Sequence, residues 1–143
     1  MALEDELKYE ELWDRFSDDI DMTDIYTKQD LAEKLDEWLS PFVGKKNKEN
    51  RQVAVEKLTE RFWNDVLDYF QEQPRYIVMN VFQEEPEISP EIAKTAETAV
   101  ERASRFATNT QRWASILGTL KPLYQKGIIT LDKLRQIYEY IKL

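Results

Sequence analysis

The sequence predicts an all-α protein, a single compact bundle of six or seven helices. Apolar residues recur at spacings of three and four along most of the chain, as they do in amphipathic helices. Gly and Pro number only 3 and 5 in 143 residues, too few for a loop-rich all-β chain. Because no linker, repeat or low-complexity segment interrupts the pattern, we expect one domain over residues 1–143.

The N-terminal half is expected to form three amphipathic helices. Thr27 is a suitable N-cap for the second, with Asp30 in a capping-box-like position three residues later. Ser40-Pro41 is expected to end that helix, because the residue before a proline disfavours helical dihedrals. The expected helices cover about 3–16, 28–40 and 51–73, with a loop over 41–50.

Residues 75–82 have the least clear secondary structure. They are β-branched and apolar, a composition that favours a strand. No second strand-like segment is present to pair with them, so a strand would leave its backbone unsatisfied. We therefore predict a short buried helix with Pro74 at its first position.

The clearest predicted helix begins after Ser89, an N-cap residue followed by a proline. Its apolar residues repeat at alternating spacings of four and three over 92–117, which is a heptad seam. We expect this helix to be continuous and to end at Gly118. Two shorter helices are expected after it, one closed by Gly127 and the other capped by Thr130.

The composition excludes the commonest catalytic and metal-binding chemistries. His and Cys are both absent, which removes the usual general base, the thiol nucleophile and the usual zinc ligands. No phosphate-cradling glycine loop or nucleophile elbow is present. Asp19 and Asp21 fit a calcium-loop frame, but the glycine that this frame requires is Asp24. We therefore expect no enzyme, cofactor, metal ion or small-molecule substrate.

The predicted localisation is cytoplasmic, without a membrane partner. No apolar run approaches the roughly 18 residues of a membrane span. The N-terminus is acidic, unlike a secretory or transit peptide.

Charge is distributed unevenly in this chain of net charge −8. Residues 1–40 carry 14 acidic and 4 basic side chains, whereas residues 101–143 carry 3 and 8. No acidic residue occurs from Arg102 to Leu131. On a continuous helix, spacings of 3, 4 and 3 would place three arginines and an asparagine on one face. The candidate phosphate-binding residues of this segment are Arg102, Arg105, Asn109, Arg112, Lys121 and Lys126.

Two further charged clusters are candidate sites. A basic cluster, which is either a solvated loop or a flexible phosphate clamp, consists of Lys45, Lys46, Lys48 and Arg51. An acidic cluster, a candidate surface for a protein partner, consists of Asp18, Asp19, Asp21 and Asp24. The acidic half could also neutralise the basic face within the chain, or dock head-to-tail on the basic half of a second copy.

In architecture the chain resembles the small helical-bundle subunits of CRISPR effector complexes. The features that carry the resemblance are whole-chain helicity, the absence of His and Cys, and the basic residues Arg102, Arg105, Arg112, Lys121 and Lys126. Those subunits are non-catalytic, stack in several copies and lay a basic face along nucleic acid. The resemblance implies a similar role here, although the acidic first 40 residues depart from it.

Two functions therefore remain open. The first is a non-enzymatic subunit of a nucleoprotein assembly, which packs through its acidic half or self-associates and contacts DNA or RNA phosphates. A pI near 4.7 argues that such a basic face works inside a larger complex. The second is an acidic inhibitor or adaptor, for example a viral one, that occupies a basic cleft of a nucleic-acid-processing enzyme. An open basic face favours the first function, and arginines covered by acids favour the second.

Overall fold

The computed structural model describes residues 3–43, 48–86 and 88–143. Over these ranges the all-α prediction is confirmed, with seven α-helices, one short 3-10 helix at Met22–Asp24 and no strand. None of these helices is long and apolar enough to cross a bilayer. The α-helices are α1 (Leu3–Asp19), α2 (Lys28–Val43), α3 (Lys48–Tyr69), α4 (Pro74–Phe82), α5 (Pro90–Ser104), α6 (Asn109–Gln125) and α7 (Leu131–Ile141).

Several helices begin at the capping residues that the sequence indicates. The Thr27 hydroxyl accepts a hydrogen bond from the Asp30 N–H, and the Asp30 carboxylate accepts one from the Thr27 N–H, both at 3.1 Å. Ser89 and Thr130 each accept a hydrogen bond from the N–H three residues later. The short helix predicted after the long one is confirmed as α4, with Pro74 at its start.

The expected ends of α2 and α3 are wrong. Pro41 lies inside the last turn of α2, where a proline removes a single hydrogen bond and the helix ends two residues later. Because α3 already begins at Lys48, the loop expected over 41–50 is shorter. At its other end α3 stops at Tyr69, and Glu72 takes a positive φ of 70° in the turn that leads to α4.

The continuous heptad helix expected over 92–117 is also wrong, because it is two helices. α5 ends at Ser104, and α6 begins at Asn109 with the Thr108 hydroxyl as its N-cap. The break lets α6 pack against α5, which carries a row of small buried side chains and is also contacted by α4 and α7. This row consists of Ala93, Ala96, Ala99, Val100 and Ala103. Phe106, expected in the seam, lies in the turn and is 42% exposed.

The helices form two pairs that α4 connects. α2 packs on α3 and α5 packs on α6, while α4 contacts α3, α5 and α7. The buried apolar side chains form one continuous core from Phe16 to Ile141. The ring centre of Phe16 lies 5.8 Å from that of Phe62 in α3 and 5.4 Å from that of Trp38 in α2. These aromatic contacts fix the acidic helix α1 against α2 and α3.

Two glycines provide a matched test of where α6 ends. Gly118, expected to end a helix, lies inside α6, and an added Cβ would meet no atom within 4 Å. Gly127 has a φ of 73° just after α6, the conformation of a helix C-cap glycine. We expect Gly127→Ala to lower the free energy of unfolding by about 1 kcal/mol and Gly118→Ala to raise it by about 0.5–1 kcal/mol. Urea denaturation measures both, and changes of the same sign would contradict this helix boundary.

Candidate functional site

A groove of about 730 Å³ lies between the end of α5 and the first half of α6. It exists because the chain breaks after Ser104 and α6 packs beside α5. The residues that line it are Arg102, Arg105, Phe106, Gln111, Ala114, Ser115, Gly118 and Thr119. We call this feature the α5–α6 groove.

The charge of the α5–α6 groove is positive. Arg102 is exposed, and within the described ranges its guanidinium has no carboxylate or hydrogen-bond partner. Arg105 donates to the Glu101 carboxylate at 2.7 Å, but the two side chains are 72% and 57% exposed. An exposed pair of this kind is weak and screened by salt, so Arg105 can exchange partners readily. Within the part of the chain that the structure describes, no carboxylate lines the groove.

The α6 side of the groove carries small and polar side chains. Ala114 and Gly118 have little or no side chain, so this part of the α6 surface is open to a ligand. A Cβ added at Gly118 would have no atom within 4 Å. Ser115 and Thr119 add hydroxyl groups, which accompany arginines in many contacts to phosphate oxygens. The groove therefore combines two guanidinium groups with neutral hydrogen-bonding groups and an accessible floor.

Arg112 does not line this groove and serves the fold instead. Its Nε donates to the Phe106 carbonyl at 2.8 Å, and its Nη2 donates to the Ser104 carbonyl at 3.1 Å. Its Nη1 donates to the Ile141 carbonyl at the end of α7. The predicted face of three arginines and an asparagine is therefore not a single face, because the helix breaks within it.

Asn109, like Arg112, joins the start of α6 to the end of α7 and the residues that follow it. Its Oδ1 accepts a hydrogen bond from the Leu143 N–H at 2.7 Å, and its Nδ2 donates to the Leu143 carbonyl at 3.4 Å. Both hydrogen-bonding atoms of the side chain are therefore used within the chain. Asn109 and Arg112 together hold the turn between α5 and α6 against the end of α7.

Lys121 and Lys126 lie beyond the groove on or after α6. Both side chains are exposed, and neither has an ion-pair partner in the part of the chain that the structure describes. Lys121 continues the stripe of Gln111, Ala114 and Gly118 at spacings of 3, 4 and 3. It extends the positive charge of the groove along α6, while Lys126 follows the last turn as its C-cap.

The second basic cluster is only partly described. Lys45 and Lys46 lie outside the described residues, and Lys48 begins α3. Arg51 donates to the Asp36 carboxylate at 2.8 Å, and its side chain is only 14% exposed. This pair ties α3 to α2, so the Arg51 guanidinium is engaged within the fold.

The carboxylates of the acidic cluster are mostly engaged within the chain. Asp19 accepts a hydrogen bond from Trp38 Nε1 at 3.0 Å, and Asp24 pairs with Lys34 at 3.2 Å. The hydroxyl and backbone N–H of Thr23 donate to Asp21, which lowers the pKa of that carboxyl. Asp18 is exposed in the last turn of α1. None of these described carboxylates pairs with a groove arginine, so they leave the α5–α6 groove uncovered.

A buried arginine that the sequence pattern does not single out, Arg75, lies on the first turn of α4. Its guanidinium lies 3.8 Å from the ring centre of Tyr26 and 4.5 Å from that of Phe70. Its Nη2 donates to the Ile25 carbonyl at 2.7 Å and to the carbonyls of Thr23 and Met22, while Nη1 donates to the Tyr26 hydroxyl. Burial lowers the pKa of Arg75. The signal for this role was a single arginine at the start of an apolar helix.

A second cavity, of about 980 Å³, lies beside Arg75. Its acidic lining residues include Asp24, which pairs with Lys34, and Asp30, which caps α2. Asp24, Asp30 and Arg75 of this cavity are engaged in contacts within the fold, whereas Arg102 of the α5–α6 groove has no partner among the described residues. The groove is therefore the stronger candidate site.

No protein-family model, curated protein or solved structure matches the chain. The class of site therefore follows from its geometry and charge. Two accessible guanidinium groups beside hydroxyls, with no carboxylate among the described lining residues, make a site suited to a phosphate-bearing ligand.

Proposed function

We propose that this chain is a non-enzymatic nucleic-acid-binding subunit of a nucleoprotein assembly, and that its α5–α6 groove contacts the phosphate backbone. The observation that carries the proposal is the placement of Arg102 and Arg105 in one groove that no described carboxylate lines. Guanidinium groups offer paired donors for phosphate oxygens, and Ser115 and Thr119 add neutral contacts. Lys121 extends the positive surface along α6.

The net charge of −8 supports a role inside an assembly. A polyanion is repelled by most of this surface, and free-standing nucleic-acid-binding domains are usually basic. The groove of the isolated chain is therefore expected to bind weakly but measurably at low salt, and neighbouring subunits that supply positive charge would strengthen the same contact. An all-α fold and a basic surface are features that the proposed subunit shares with the small helical subunits of CRISPR effector complexes.

The proposal is tested by the salt dependence of binding. Fluorescence anisotropy with labelled DNA and RNA, at salt concentrations from about 20 to 200 mM, gives the slope of log K against log salt. We expect Arg102→Gln and Arg105→Gln each to weaken binding about 5- to 10-fold and to reduce the slope by about 0.7 for a single strand. Arg135→Gln, at an exposed arginine of α7 outside the groove, is the matched control and should change neither value.

A steric variant tests the same groove without changing its charge. Gly118→Leu places a side chain on the open groove floor, and we expect it to weaken binding about tenfold or more at every salt concentration. Asn64→Leu adds a leucine at an exposed position of α3 and serves as its control. Absence of binding by the wild type at about 20 mM salt, where phosphate contacts are strongest, would refute the proposal. Binding that neither arginine variant changes would refute it as well.

A further inference from the structure

We infer that the α5–α6 groove binds a single-stranded nucleic acid, with an unpaired base stacked on Phe106. This inference rests on the proposed function and names the form of nucleic acid that the groove accepts. Phe106 lines the groove next to Arg105 and is 42% exposed, unlike most aromatic residues of this chain. Among the described residues, its ring makes no contact with another aromatic ring.

The backbone under the Phe106 ring is fixed, although the ring itself is exposed. The Phe106 N–H donates to the Ala103 carbonyl at 3.2 Å, and the Phe106 carbonyl accepts from Arg112 Nε at 2.8 Å. The same guanidinium holds Ser104 and Ile141. An aromatic ring on such a turn is pre-organised for stacking, because little backbone entropy is lost when a ligand binds.

The neighbours of Phe106 in the groove match the two parts of a nucleotide. Arg102 and Arg105 supply charge for phosphate groups, and the ring supplies an apolar face of the size of a base. The small residues Ala114 and Gly118 leave space on the α6 side of the groove for a flat ligand. Alternating phosphate contacts and aromatic stacking are typical of proteins that bind single strands without strict sequence preference.

A duplex cannot use this combination of groups. Its bases are paired and stacked on each other, so their faces are not available to a protein side chain without unstacking. A duplex could contact only the arginines, whereas a single strand could contact the arginines and Phe106 together. The groove should therefore bind a single strand more tightly than a duplex, and the difference in binding free energy should equal the contribution of the stacked base.

The experiment compares one oligonucleotide of mixed sequence as a single strand and as a duplex with its complement. We expect the wild type to bind the single strand at least about fivefold more tightly, and Phe106→Leu to weaken single-strand binding about 5- to 100-fold. Because leucine changes no charge, the salt slope and the duplex affinity should stay as in the wild type. Phe106→Trp keeps an aromatic face and should bind the single strand about as tightly as the wild type. Stacking of a base should also quench the fluorescence of the introduced tryptophan.

Failure of this inference is distinguishable from failure of the proposed function. Equal affinity for single strand and duplex, with Phe106→Leu unchanged but Arg102→Gln weakened, would refute base stacking and leave phosphate contact intact. Loss of binding in Phe106→Trp to the level of Phe106→Leu would also refute stacking. No binding of either nucleic acid, together with binding of a phosphoserine peptide, would refute both and assign the groove to a phosphorylated protein. Urea denaturation of each variant verifies that it is folded.

Discussion

Replacing Arg75 with methionine is expected to lower the free energy of unfolding by about 3–5 kcal/mol. Methionine is similar in length but has no donor, so the carbonyls of Thr23 and Ile25 would be left without the hydrogen bonds that Arg75 provides. The substitution also removes the cation–π contacts with Tyr26 and Phe70. Urea denaturation followed by circular dichroism and tryptophan fluorescence measures the change.

Two variants separate this effect from a general response to losing an arginine. Arg135→Met removes an exposed arginine of α7, and we expect it to change stability by less than about 0.5 kcal/mol. Tyr26→Phe removes only the hydroxyl that accepts from Arg75, and we expect a loss of about 1 kcal/mol. If Arg75→Met remained within about 1 kcal/mol of the wild type, the carbonyls would not depend on this side chain.

The position of Arg75 explains why its loss should affect the whole bundle. The arginine belongs to α4, which packs on α5 and α7, and its hydrogen bonds reach the segment between α1 and α2. It therefore joins the N-terminal helices to the C-terminal ones at the centre of the chain. A variant that loosens this junction should also show a lower m-value or separate transitions for fluorescence and circular dichroism.

The sequence predicts the helix starts better than the helix ends. Starts at Thr27, Ser89 and Thr130 are encoded by side chains that bond to N–H groups within the next turn, so the signal is local. The start of α6 carries the same kind of local signal, because the Thr108 hydroxyl accepts a hydrogen bond from the Gln111 N–H, but Thr108 stands within an unbroken apolar repeat that predicts one continuous helix. A heptad repeat shows which face of a segment is apolar. It does not distinguish one long helix that packs on other elements from two shorter helices that pack on each other.

The sequence predicts the candidate site only in part. The absence of acidic residues from Arg102 to Leu131 is visible in the sequence, and two of its arginines line the groove. The partners of Arg112 are carbonyl groups, one of them 29 residues away in α7. Every residue has a backbone carbonyl, so the sequence does not show which carbonyls accept from an arginine. An arginine that binds backbone carbonyls therefore cannot be distinguished in the sequence from one that binds a ligand. Arg75 was missed because all of its acceptors lie about 50 residues earlier in the chain.

Replacing Arg112 with methionine is expected to lower the free energy of unfolding by about 1–2 kcal/mol, because water can replace the donors at the two exposed hydrogen bonds but less readily at the Ile141 carbonyl. The variant leaves the carbonyls of Ser104, Phe106 and Ile141 without the donors that Arg112 supplies. Because two of these carbonyls belong to the turn that carries Phe106, the turn should lose its fixed geometry. On the proposed function, Arg112→Met should therefore also weaken nucleic-acid binding, although Arg112 does not line the groove.

The salt dependence of binding distinguishes a positioning role of Arg112 from direct phosphate contact. If Arg112 acts only through the turn, Arg112→Met weakens binding while the slope of log K against log salt stays at the wild-type value. If Arg112 contacts a phosphate, the slope falls by about 0.7 for a single strand, as we expect for Arg102→Gln. Arg102→Gln should show the opposite pattern, with the slope reduced and stability unchanged, because Arg102 has no partner within the described residues. An Arg112→Met variant as stable as the wild type would refute the structural role, since three carbonyl groups depend on that side chain.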